Sequence, residues 1–274
     1  MNDDCIRSYK RDNLRKGVYL LPNLVTAGGI FAGFYSIIAS TDGNFARAAW
    51  FILLAGIFDG LDGKVARLTG TSSKFGVELD SLADVISFGV APGVLLYNWA
   101  LRPFGKLGWL AAFLFVICGA LRLARFNVQV STVESKRFVG LPIPAAAGIV
   151  ATCVLLFYEL GGTGTVKMFS MVVLVFALAF LMVSNVKYFS LKDPELFKRQ
   201  PFMMLVGAIM IMILIVAKPE IMLFCIGMIY MFSGPVGHLL QRNKGQSTEI
   251  PQSDEEEVPA AEMTVSEDQK TSSE

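Results

Sequence analysis

Four aspartates, Asp59, Asp62, Asp80 and Asp84, stand inside or beside sequence apolar enough to cross a bilayer. An ionised side chain at membrane depth costs on the order of 3 kcal/mol, so such groups persist where they line a site and meet opposite charge. The stretch from Phe58 to Asp84 offers only Lys64, Arg67 and Lys74 against these carboxylates and Glu78. The shortfall implies a bound cation. Residues three and four apart share a helix face. Asp59, Asp62, Gly63, Ala66 and Arg67 therefore form one stripe, and Gly76, Asp80 and Asp84 a second. A short Gly/Ser/Thr turn around Gly70 joins the two helices and lets both stripes face one place.

Carboxylate oxygens are hard ligands suited to magnesium, manganese or calcium, and magnesium commonly leaves positions for substrate phosphates. Two such ions would neutralise four aspartates. Gly63, Ala66 and Gly76 leave room for a ligand against the backbone, and Arg67 offers a fork to phosphate oxygens. The pattern predicts a diphosphate site built on metal. The aspartates alone would also serve a divalent-cation transporter, although a transporter has no need of the Gly63, Ala66 and Arg67 positions.

D-x-x-D-G-x-x-A-R, eight further residues and G-x-x-x-D-x-x-x-D together resemble the signature of the CDP-alcohol phosphotransferase family. The resemblance implies an all-α polytopic membrane helix bundle of that fold. It also implies an enzyme that moves a substituted phosphate from a CDP-linked donor to an alcohol, releasing CMP, with two divalent cations, magnesium or manganese. By matching positions, Asp59, Asp62 and Asp80 would bind metal, and Asp84 would bind metal and act as the catalytic base. Gly63, Ala66, Arg67, Ser73 and Gly76 would contact the CDP-diacylglycerol. A homodimer is favoured on the same ground. Within the family, L-P-N at 21–23, V-I-S-F-G-V-A-P at 85–92, R-L-A-R-F-N at 122–127 and G-L-P-I-P-A-A-A at 140–147 resemble membrane-type members whose acceptor is L-serine. Their reaction gives phosphatidylserine, a step of phospholipid biosynthesis. Glycerol phosphate, inositol or inositol phosphate is the alternative acceptor. The resemblance runs from about residue 18 to 240.

The 274 residues are 54% hydrophobic and 17% charged, against roughly 25% charged in soluble domains. A membrane protein is expected. The formal net charge of +1 gives no case for a nucleic-acid partner. Cys5, Cys118, Cys153 and Cys225 contain no C-x-x-C pair, which argues against a disulfide framework or a zinc site. His238 is the sole histidine, leaving little scope for a Ser-His-Asp triad. Apolar windows of about twenty residues, the length of a bilayer span, fall at 20–41, 45–66, 82–101, 107–127, 141–160, 166–186, 201–217 and 219–240. About eight transmembrane helices are predicted on this length criterion, with Lys218-Pro219 either separating the last two or kinking one. The organisation expected is a cytoplasmic N-terminal segment at 1–17, a transmembrane catalytic domain at 18–240 and a disordered acidic tail at 245–274. No secretory signal is read, and Pro22 suits the first helical turn of a retained span. Asn23 and Thr26 near its start either line the aspartate cavity or serve as a cap and an interhelical bond.

Basic residues favour the cytoplasmic side. An internal N-terminus puts Lys136, Arg137, Lys192, Lys198 and Arg199 inside, and Arg47, Arg102, Lys106, Lys167 and Lys218 outside. Trp50, Trp99 and Trp109 then fall at the outer interface. A multi-pass protein of the cell membrane is predicted, with the active site and both termini facing the cytoplasm. Gly89, Pro92 and Gly93 weaken the regularity of the third span. Arg122 and Arg125 either snorkel at the cytoplasmic end of the fourth or, with Asn127, hold an anionic group of the acceptor. The later spans read as packing or dimer surface.

Overall fold

The computed structural model describes residues 3–70, 73–130, 140–186, 188 and 201–246. Among them every element is helical. Helices α1 (Asp3–Thr41) and α2 (Phe45–Thr69) form a hairpin. Gly43 takes the left-handed φ of 79° in the turn, and Asn44 N–H donates to the Ala39 carbonyl at 2.8 Å. The two helices approach closely because the facing positions are small: Ala32, Ala39, Ala48, Ala49 and Ala55 are buried. Ser36 Oγ donates to the Ala48 carbonyl at 2.8 Å. In a bilayer such packing and hydrogen bonding replace hydrophobic burial as the source of helix association. Pro22 is not in a first turn as expected. It lies inside α1, which runs on through residues read as a separate segment. A proline there forfeits one backbone bond.

Gly70, at φ 62°, caps α2 with its N–H on the Ala66 carbonyl. Helix α3 (Lys74–Asp84) follows and continues without a break to Phe104, making a 31-residue rod, Lys74–Phe104. The irregularity expected after the aspartates is present. Val85–Val90 and Tyr97–Leu101 are wound as π-helix on either side of α4 (Ala91–Leu96), and Arg102–Phe104 closes as a 3₁₀ turn. Pro92 has no N–H to give, and the Ala91 N–H reaches back to Ile86, one residue beyond the α-helical partner.

After Gly105 comes α5 (Lys106–Val130), then the core helix α6 (Ile143–Glu159), with Ile143, Ala147, Val150 and Val154 buried. The G-L-P-I-P stretch stitches the start of α6 to α7 (Phe169–Val183) and the residues beyond it. Gly140 N–H donates to Val186 at 2.9 Å and Leu141 N–H to Leu181 at 3.0 Å. A Cβ on Gly140 would stand 2.5 Å from the Met182 carbonyl oxygen, and its φ is +82°, so glycine is required twice over. Helices α8 (Pro201–Ala217) and α9 (Pro219–Gln246) are separate, broken at Lys218, whose ammonium pairs with Glu159 at the end of α6.

Among the described residues four helical stretches are long and apolar enough to cross a membrane: Leu21–Thr41, Lys74–Phe104, Lys106–Gln129 and Pro219–Gly237. Helices α6 and α7 are apolar but shorter, at 17 and 15 residues. Phe31, Phe34, Phe113 and Phe180 are exposed on the outer faces. These are the dimensions and surface of a membrane protein. One interfacial expectation is corrected: Trp99 is buried, edge-on to Phe157 at 5.5 Å, whereas Trp50 and Trp109 are exposed. Lys136, Arg137, Lys192, Lys198, Arg199 and the tail beyond Gln246 lie outside the described residues.

Candidate active site

Helix α1 packs against both α2 and α3 and so holds their two aspartate stripes together. Oxygens of Asp59, Asp62 and Asp80 all lie within 4.8 Å of one another. Asp84 stands outside that trio but lines the same recess as Asp59, Asp62 and Asp80. The recess, with a free volume of about 10 Å³, is lined also by Thr26, Gly29, Ala55, Ala83, Ser87 and Phe88. That is room for an ion or a single water molecule. Among the described residues none of the four aspartates forms an ion pair; the one ion pair there is Lys218 with Glu159. Lys64, Arg67 and Lys74 are exposed and do not supply the missing charge. An all-oxygen donor set with no ion pair to offset it among the described residues fits magnesium or manganese.

Thr26 and Asn23 line this region, as one of their two sequence readings required. Thr26 Oγ1 lies 2.9 Å from Asp62 Oδ2 and 3.1 Å from the Pro22 carbonyl, so one hydroxyl proton serves two acceptors. Asp62 is the most buried of the four aspartates, 6% exposed. Beside the recess opens a cleft of about 90 Å³ lined by Pro22, Asn23, Thr26, Asp62, Gly63, Ala66, Ser73, Gly76, Val77 and Asp80. Four of the five residues expected at the donor therefore share one wall. A Cβ on Gly63 would meet nothing within 4 Å, whereas one on Gly76 would stand 3.1 Å from Asn23 Oδ1. Ser73 caps α3, its Oγ accepting the Gly76 N–H at 2.9 Å, a contact worth about 1 kcal/mol. Arg67, the fifth, is not in that wall. It is exposed at the rim, with Nε on the Gly63 carbonyl at 2.9 Å.

The three residues expected at the acceptor separate. Arg122 is partly buried and interacts electrostatically with Asp84 and Tyr230; its guanidinium carbon stands 5.6 Å from the Phe126 ring centre. Its Nε is buried without a hydrogen-bond partner. Arg125 is exposed and donates to Asn185 Oδ1 at 2.8 Å. Asn127 donates to Ser81 Oγ at 2.9 Å, which ties α5 to the turn of α3 between Asp80 and Asp84.

Four residues around the site were not picked out from sequence. Ser87 was legible in principle, since it sits three residues beyond Asp84; its Oγ donates to the Gly29 carbonyl at 3.0 Å. Asn185 and Tyr230 are distant in the chain and carried no local signal. Tyr188 is buried with its hydroxyl on the Met231 carbonyl at 3.3 Å; burial first, and the neighbouring Tyr230 second, push its phenol up to about 12, so it remains a donor.

The model of the CDP-alcohol phosphatidyltransferase family matches residues 19–183, which contain every one of the site residues expected from sequence. The chain belongs to this family. Among its relatives, the CDP-diacylglycerol–serine O-phosphatidyltransferase of Helicobacter pylori is 49% identical over 174 residues, 62% of this chain and 72% of the relative. The archaetidylserine synthase of Methanothermobacter thermautotrophicus is 41% identical over 190 residues, 69% and 73% respectively. The CDP-diacylglycerol–serine O-phosphatidyltransferase of Methanocaldococcus jannaschii is 41% identical over 177 residues, 64% and 76%. In this family member the signature thus coincides with the acid recess and with the cleft beside it.

Proposed function

We propose that this membrane enzyme transfers the phosphatidyl group of CDP-diacylglycerol to L-serine, giving phosphatidylserine and CMP. The observation that carries the reading is the convergence of four aspartates on one recess, none of them in an ion pair among the described residues, beside a cleft lined by glycine, alanine and serine. The names of the relatives support serine as the alcohol.

In this proposal Asp59, Asp62, Asp80 and Asp84 hold two divalent cations, magnesium or manganese. When bound, such ions neutralise donor phosphate oxygens and the charge developing on the leaving group. Gly63, Ala66, Ser73 and Gly76 seat the CDP portion against the cleft wall, and Arg67 at the rim takes a phosphate or ribose oxygen. Asp84, the aspartate nearest Arg122's field, accepts the serine hydroxyl proton. The serine oxygen bonds to the lipid-side phosphorus, the bond from that phosphorus to the CMP phosphate breaks, and CMP leaves. Of Arg122, Arg125 and Asn127, Arg122 is the one placed to orient the serine carboxylate, since its Nε is buried with no partner while the other two are bonded elsewhere. The remaining apolar helices complete about eight spans, α6 and α7 crossing where the bilayer is locally thinned. Both termini and the site face the cytoplasm. A homodimer belongs to the proposal on family resemblance alone.

The test is CMP release by purified protein given CDP-diacylglycerol, magnesium and, in turn, serine, glycerol 3-phosphate, inositol or inositol phosphate. Release with serine alone supports the reading; release with another alcohol moves the acceptor, and release with none removes the transferase. The same assay on sealed vesicles reads orientation. Serine outside inverted vesicles should be consumed, and serine outside right-side-out vesicles should not.

A further inference from the structure

The end of the bundle away from the aspartates holds a cavity of about 340 Å³, larger than the cleft beside the recess. Ser40 and Thr41 of α1, Phe45 of α2, Asn98 and Arg102 of the long rod and Thr165 ahead of α7 line it. Thr26 meets Asp62, and Ser40 follows it by about 21 Å of helix axis at 1.5 Å per residue. The two sites are therefore at opposite ends of α1. Hydrogen bonds hold the walls of this cavity together. Val166 N–H donates to the Trp99 carbonyl at 2.9 Å, which ties the Thr165 wall to the rod that carries Asn98. Asn98 Nδ2 in turn donates to Ser40 Oγ at 3.2 Å. Ser40 is 1% exposed, and among the described residues its hydroxyl proton has no acceptor. A buried donor left unpaired is unfavourable, and an acceptor brought by a ligand relieves it.

The lining is rich in donors and its one charge is positive. Arg102 has neither an ion pair nor a side-chain hydrogen bond among the described residues. No acid lines the cavity, and Asp42, in the turn between α1 and α2, stands outside it. Phe45 opens α2, whose first turn holds no acid and whose Asn44 gives no side-chain cap. The unpaired N–H groups of that turn and the positive end of the helix dipole favour an anion. A guanidinium presents a planar fork that matches phosphate oxygens. Depth selects the source of the phosphate. The apolar stretches Leu21–Thr41 and Lys74–Phe104 both end at this cavity. Trp50 and Trp109 are exposed at the same end, as aromatic side chains are at the level of lipid headgroups. We infer that the cavity binds the phosphodiester of a phospholipid headgroup in the leaflet opposite the aspartate recess, with Arg102 on the phosphate oxygens and Ser40, Asn98 and Thr165 as the polar wall. The inference is independent of the proposed reaction, since none of these residues lines the recess or its cleft.

All three tryptophans, Trp50, Trp99 and Trp109, stand at this end, so quenching of their fluorescence by lipids with brominated chains reads this cavity and not the recess. The full chain in detergent is titrated with brominated phosphatidylglycerol, and with brominated diacylglycerol as the phosphate-free control, for wild type, Arg102→Gln, Arg102→Lys and Arg47→Gln. Arg47 is an exposed cation at the same end that does not line the cavity. Wild type should show saturable quenching by phosphatidylglycerol, with diacylglycerol at least about tenfold weaker, the scale of losing hydrogen bonds to a charged group. Arg102→Gln should raise the half-saturating concentration of phosphatidylglycerol about tenfold on the same ground, and Arg47→Gln should leave it within about twofold. Arg102→Lys, which keeps the charge and loses the fork, should fall between wild type and Arg102→Gln. Inorganic phosphate added beforehand should leave the lipid titration unchanged. Equal quenching by diacylglycerol, an Arg102→Gln curve like that of wild type, or equal losses in Arg102→Gln and Arg47→Gln would overturn the inference. Displacement of the lipid by inorganic phosphate would overturn it too, giving the cavity to the free ion.

Discussion

Thr26 Oγ1 has one proton and two acceptors, the Pro22 carbonyl and Asp62 Oδ2. The proline inside α1 and the most buried aspartate are thereby connected through a single hydroxyl. A group that orients a metal-binding carboxylate typically contributes roughly 10- to 100-fold in metal affinity. Thr26→Val preserves shape and removes the hydroxyl. It should lower CMP release about tenfold at subsaturating magnesium, with recovery as magnesium is raised. An unchanged magnesium dependence would show that Asp62 needs no such partner. Arg67 teaches a different lesson at this scale. Spacing put it on the aspartate stripe, but its Nε turns back to the Gly63 carbonyl four residues earlier, leaving only the outer guanidinium nitrogens for a ligand.

Among the elements, α1 decides where Asp84 sits. Its Gly33 lies against Ser87 of the π-wound segment: a Cβ there would stand 2.6 Å from Ser87 Oγ and 2.8 Å from Ser87 Cα. Backbone cannot swing away as a side-chain tip can, so Gly33→Ala should destabilise by about 1–3 kcal/mol, the usual cost of overpacking. The thermal midpoint in detergent should fall, and CMP release with it, since Ser87 is one turn from Asp84. Gly60→Ala is the control, because a Cβ there would meet nothing within 4 Å. Equal behaviour of the two variants would refute the contact as a determinant. The aspartate stripes were legible because helical spacing is local. The contact of Gly33 with Ser87, and of Gly234 with Tyr188, pairs residues far apart in the chain, and nothing in either neighbourhood marks the partner. Gly89, Pro92 and Gly93 did mark irregularity, but not that it would take the form of two π-wound segments within one rod.

For the molecule as a whole, composition and apolar windows were enough to read an all-helical membrane protein, and the signature was enough to pick out the aspartates that share one recess. Burial was harder to read. Trp99 matched an interfacial residue by window position, yet it packs on Phe157 in the core, because a span's end can be enclosed by a neighbouring helix as easily as by headgroups. Helix α9, read as scaffold or dimer surface, packs Gly227 on Ile149 and Gly234 on Tyr188. The account holds that the aspartate recess works only with a divalent cation, and that Asp84 is indispensable there. The most direct measurement is therefore phosphatidylserine formation from CDP-diacylglycerol and serine by metal-stripped protein, before and after magnesium or manganese is restored, with Asp84→Asn alongside. Wild type should be inactive when stripped and active when either ion returns, while Asp84→Asn stays at least about a hundredfold lower, the scale of losing a general base. Product formed by stripped wild type, or undiminished formation by Asp84→Asn, would contradict the account.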